Sequence, residues 1–142
     1  MNQEHISSAF DRDLEAIQAL MVKMGGLVEA AILDGAKAVT TRDIELAEKV
    51  RKGDAAIDEL EERINEETAR TIALRAPVSS DLRVVLSVLK LAASLERIGD
   101  YARNLAKRTE VLADQRPISG PDKALKRMSK EVQRMLKDTL DA

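Results

Sequence analysis

The chain has 142 residues, 44% hydrophobic and 34% charged, with no cysteine and only Phe10 and Tyr101 as aromatics. Its formal net charge of −2, with acids and bases interleaved, makes no field that would gather nucleic acid or a membrane surface. Without cysteine there is neither a disulfide framework nor a thiolate metal site.

This is about the length of one domain, and it can bury about two-thirds of its unfolded surface. The Ala-, Leu-, Glu-, Lys- and Arg-rich make-up belongs to long helices with an aliphatic core. The polar start, "MNQEHISSAFDRD", is not a signal peptide. No apolar run is read as approaching the ~20 residues of a membrane span, so a soluble, cytoplasmic protein is expected.

The first predicted helix covers residues 8–39, with Phe10, Leu14, Ile17, Met21, Met24, Val28 and Ile32 at spacings of three and four. Thr40 and Thr41, before Arg42 and Asp43, read as the N-cap of a second helix reaching residue 74. Pro77 and the pair Ser79 and Ser80 break that helix and cap a third, over residues 81–112. "ADQRPISGPDK" is rich in breakers, and residues 113–121 are read as a linker. A fourth, more basic helix covers residues 122–142. The fold class is all-α: an antiparallel three-helix bundle over residues 1–112, followed by a further helix.

The second and third helices share an apolar seam. Leu46, Val50, Gly53, Ile57, Leu60 and Ile64 form it on one, and Val84, Val88, Leu91, Leu95, Ile98, Ala102 and Leu105 on the other. A short loop makes the two an antiparallel hairpin. Residues at one height then have position numbers of constant sum, as Ile64 with Leu91, Leu60 with Leu95, Ile57 with Ile98, and Gly53 with Ala102 do.

Asp54 and Asp58 lie one helical turn apart on the second helix, and Glu96 and Asp100 repeat that spacing on the third. Like charges at this spacing cost roughly 0.2–0.5 kcal/mol. A glycine, Gly53 or Gly99, stands beside each pair, and an interior glycine costs about 0.5–1 kcal/mol relative to alanine. The register puts all four acids within two adjacent turns. At ~100° per residue they also fall on one side of the hairpin, with Glu61 and Asn65 near them.

Such a cluster would raise its own pKa values unless neutralised. Oxygen-only ligands suit Mg²⁺, Ca²⁺ or Mn²⁺, and carboxylate-bridged iron also fits. Asp54, Asp58, Glu96 and Asp100 are therefore the candidate metal ligands. The competing reading is a solvated acidic face neutralised by Arg51, Arg97, Arg103 and Lys107.

Catalytic sets are missing from the sequence. His5 is the only histidine, whereas di-iron oxidase bundles supply a Glu-x-x-His unit from each of two helices. There is no Ser/His/Asp set and no glycine-rich phosphate loop. Tyr101 reads as a half-buried packing residue, and Met21 and Met24 as core. Lys123, Lys126, Arg127, Lys130, Arg134 and Lys137, with acids among them, read as a solvated face. No catalytic or cofactor-binding residue is assigned. A carboxylate-metal enzyme and a purely structural helical protein remain the alternatives to a regulator.

"PVSSDLRVVLSVLKLAASLERIGDYARNLAK", residues 77–107, closely resembles the signature of the PhoU family of phosphate-uptake regulators. "HISSAFDRDLEAI" and "DAAIDELEERI" match the family pattern in the right order, so the resemblance spans residues 5–112. It implies a three-helix bundle repeated twice in a full-length member. It also implies metal clusters held by E(D)-x-x-x-D motifs, which fall here on Glu96 and Asp100, with Asp54 and Asp58 as partners. The implied role is a negative regulator and adaptor between the phosphate transporter's ATPase subunit and a sensor histidine kinase, touching the membrane only through them.

Two features depart from the family pattern. Tyr101 stands where many members have histidine. "LKRMSKEVQRMLKDTLDA" resembles only the start of a second repeat, with Met128, Val132, Leu136 and Asp138 answering Met24, Val28, Ile32 and Asp34 at one constant offset. The second repeat is therefore read as incomplete. Its orphan amphipathic helix is expected to favour a homodimer or higher assembly.

Overall fold

The computed structural model describes the backbone of residues 2–112 and 121–141, and the side chains of residues 8–112 and 127–138. Four helices follow in order: α1 (Asn2–Thr41), α2 (Ile44–Arg75), α3 (Ser79–Leu112) and α4 (Pro121–Asp141). Helices α1, α2 and α3 each pack on the other two, whereas α4 packs against α1. The expected all-α bundle is the fold. His5, Lys123, Lys126 and the linker over residues 113–120 lie outside the residues whose side chains are described.

Local chemistry sets the turns. Thr40 and Thr41 do not cap α2 as expected; both belong to α1 and donate their hydroxyls to the Lys37 carbonyl at 3.1 and 2.7 Å. Arg42 takes the left-handed conformation (φ 57), and the Asp43 N–H reaches back to the Ala38 carbonyl at 3.0 Å. This closes the end of α1 as a Schellman motif does. Asp43 is the true N-cap of α2, its Oδ1 accepting the Leu46 N–H at 3.1 Å. Helix α2 ends on left-handed Ala76, and Pro77 follows, unable to continue the helix.

Ile17, Met21, Met24 and Val28 of α1 meet Ile57, Leu60 and Ile64 of α2 and Ala92 and Leu95 of α3. A second cluster of smaller side chains, including Ala38, Ala47, Ala102 and Ala106, draws the helices closer. Gly35 is required there, because a Cβ would stand 3.3 Å from the Ala102 carbonyl oxygen. Asp13 and Arg75 form an ion pair at 2.9 Å across α1 and α2, and Arg51 meets Glu110 at 3.1 Å across α2 and α3. Both pairs join opposite ends of the helices in sequence, as an up-down-up bundle requires.

Helix α1 corrects the membrane expectation. Ser8–Thr41 contains a window of mean hydropathy 1.6, long and apolar enough by length and composition to cross a membrane. Within the bundle α1 is the helix that touches all three others, and a third of that window is buried.

Along α4, Val132 and Leu136 join the main core. Gly25 admits Leu136, whose Cδ2 would lie 2.9 Å from a Cβ at that position. Gln133 donates to Glu29 Oε1 at 2.7 Å. Gln133 answers Glu29 in the repeat pattern, so α1 and α4 meet at equivalent residues. Arg127, Lys130, Arg134 and Lys137 are exposed, in line with a solvated face.

The seam needs two corrections. Gly53 is exposed and Asp54 is buried in its place, 5% exposed. Val84 is 41% exposed, and Val85 takes the inward position. Tyr101, read as a half-buried packing residue beside the seam, is 52% exposed. At Gly53 and Val84 an apolar-spacing count chose the wrong member of two neighbours, an error of ~100° around the helix.

Candidate metal centre

Helices α2 and α3 carry the four acids singled out from the sequence. Asp54, Asp58 and Asp100 come together, each offering a carboxylate oxygen within 4.8 Å of the others. Asp54 is buried, Asp100 half-buried and Asp58 exposed, so the group opens outward from the core. Glu96 is not part of that closest trio. It adjoins it one turn below Asp100, with which it shares a hydrogen bond.

The approach of the two helices depends on Gly99. It is buried on α3 and faces Ile57 and Asp54, and a Cβ there would already press on Ile57 Cγ2 at 3.3 Å. Gly53 has no such role, since a Cβ on it would meet nothing within 4 Å.

The charges show their crowding. Burial, then the Asp58 charge, raises the Asp54 pKa, while Arg103 opposes the rise. Glu61 is raised by burial and by Asp58, and its hydrogen bond with Asn65 offsets part of this. Glu96 is pushed up to about 7 by burial, by its hydrogen bond with Asp100, and by the charges of Asp100, Glu61 and Asp58. Burial and neighbouring negative charge thus push Asp54, Glu61 and Glu96 in the same direction.

Two participants carried weaker signals in the sequence. Glu61 continues the stripe of Asp54 and Asp58 at helical spacing, which brings it into the charge cluster. Arg103 was one of four candidate neutralising bases, and it is the one that reaches inward. Its Nη1 donates to Asp54 Oδ2 at 2.9 Å, and its Nη2 lies 3.5 Å from Asp100 Oδ1. Arg51 pairs instead with Glu110.

Asp54 Oδ1 has no hydrogen-bond partner although it is buried. A buried carboxylate oxygen left unpaired costs on the order of 1–3 kcal/mol. That orphan atom, within an oxygen-only donor set, fits a hard divalent cation. Asp54, Asp58 and Asp100 could hold one, with Glu96 and Glu61 beside them.

Residues 21–109 match the PhoU domain. A phosphate-specific transport system accessory protein PhoU homolog from Caulobacter vibrioides is 40% identical over 139 residues, covering 98% of this chain and 60% of that protein. The homolog from Pseudomonas aeruginosa is 37% identical over 138 residues, covering 97% of this chain and 57% of the relative. The crystal structure of PhoU from Pseudomonas aeruginosa superposes with a TM-score of 0.82 at 36% identity, covering 94% of this chain and 64% of that one. The chain thus spans about 60% of the length of the Caulobacter relative.

Proposed function

The chain belongs to the PhoU family, and on that footing we propose that it acts as a regulator of phosphate uptake and phosphate-starvation signalling. It is a non-enzymatic adaptor between the phosphate transporter's ATPase subunit and the cytoplasmic region of a sensor histidine kinase. Its effect on transport and on starvation signalling is negative. It works in the cytoplasm, meets the membrane only through these partners, and associates with itself.

One observation carries the metal part of this reading: Asp54, Asp58 and Asp100 converge from two helices around a buried, unpaired carboxylate oxygen. Asp54, Asp58, Glu96 and Asp100 would hold Mg²⁺, Mn²⁺ or iron. A bound cation would neutralise the cluster and tie α2 to α3 at one height. The sequence offers no thiol nucleophile and a single histidine, His5.

The role is tested in bacteria lacking their own PhoU, by following a phosphate-starvation reporter in phosphate-rich medium. This chain should lower the reporter signal, and a D58N/E96Q variant should lower it less. An unchanged signal in cells that accumulate the folded chain would contradict the adaptor role.

A further inference from the structure

We infer that Arg103 is a built-in competitor for the cation at this site, an internal counter-ion that metal must displace from Asp54 and Asp100. The inference rests on the metal reading above and adds how occupancy is regulated.

Arg103 lies three residues after Asp100 on α3 and spans the cluster. It donates to Asp54 Oδ2 at 2.9 Å and holds Nη2 3.5 Å from Asp100 Oδ1. Asp54 and Asp100 are two of the three residues whose oxygens lie within 4.8 Å of one another. The guanidinium therefore bonds two of the three carboxylates that would hold the ion.

Its hold is incomplete. Asp54 is 5% exposed, yet its Oδ1 has no partner, and Arg103 Nε is buried without an acceptor. Among the described residues, Arg103 is the base that pairs with Asp54 and Asp100, while Asp58, Glu61 and Glu96 also crowd the group. The Arg103 side chain is 35% exposed, so it can swing outward without breaking the core. A divalent ion carries twice the charge and would draw on the same carboxylates the arginine now holds. Two cations at that spacing repel, so one leaves.

This distinguishes Arg103 from a conventional outer partner. A residue that orients a ligand strengthens metal binding, and its loss typically weakens affinity by about 10–100-fold. A competitor does the reverse.

The test is calorimetric titration of the full chain and its R103Q, R103M and R103K variants with Mn²⁺, with thermal melts in chelator. R103Q and R103M should bind Mn²⁺ about tenfold more tightly, the gain from removing one partly solvent-screened ion pair. They should also melt lower in chelator and gain more on adding Mn²⁺. R103K keeps the charge and should stay near the parent. R103Q retains polarity without the charge, so it supplies the reading if R103M does not fold. Uptake by the parent with R103Q no tighter, or weaker, overturns the inference and leaves the metal reading standing. No uptake by the parent but uptake by R103Q supports it in extreme form. No uptake by any of the chains defeats both.

Discussion

Gly99 backs directly onto Asp54: a Cβ at position 99 would stand 3.9 Å from Asp54 Oδ1 and 3.3 Å from Ile57 Cγ2. The tight contact is with Ile57, so the missing methyl lets α3 lie close to α2 beside the buried carboxylate of Asp54.

The two glycines beside the acid pairs should therefore respond differently to alanine. Gly53→Ala meets open space and should gain about 0.5–1 kcal/mol from reduced backbone freedom. Gly99→Ala must push Ile57, a stiff branched side chain only 2% exposed, so the same gain should be cancelled or reversed. Urea unfolding of both variants measures this. Equal stabilisation would show that the contact at Gly99 does not limit helix approach.

Stability without metal should fall as pH rises. The folded-state pKa of Glu96 is about 7 against an ordinary 4.5, so between those values the folded chain binds more protons than the unfolded one. The stabilisation is complete below pH 4.5 and lost as pH climbs through about 7. Asp54 and Glu61 shift in the same direction. In chelator, the melting temperature should be higher at about pH 5.5 than at pH 8. A higher value at pH 8 would mean the acids are not crowded in solution.

Thr68 is fully buried on α2, and its hydroxyl has no hydrogen-bond partner. Replacing it with valine keeps the shape and removes an unsatisfied polar atom. Thr68→Val should stabilise the fold by about 1 kcal/mol in denaturant unfolding. A loss of stability would point to a partner for the hydroxyl in solution.

The sequence carried the fold well because its signals were local and repeated. Apolar spacing marked the helices, and short loops fixed the hairpin, so Ile57 lies against Gly99 within about one residue of the expected register. What spacing could not decide was which of two neighbours points inward. Gly53 fitted an apolar seam better than an aspartate, but Asp54 takes the buried place because Arg103 reaches its Oδ2 and Gly99 leaves room beside it. Those are contacts between helices, written in no single stretch. The same limit explains Glu96, placed among the ligands by its one-turn spacing yet standing beside the closest trio. Asp43 in the cap was hidden by the two threonines before it, whose hydroxyls turn back to Lys37.

The central claim is that the α2–α3 acid cluster is a cation site, and calorimetric titration with Mn²⁺ tests it most directly. The parent chain should give a saturable binding heat, stronger at pH 8 than at pH 5.5 because protons must leave, and D58N/E96Q should give almost none. That variant should also melt higher than the parent in chelator, since repulsion has been relieved. Indistinguishable heats from the two proteins would contradict the account.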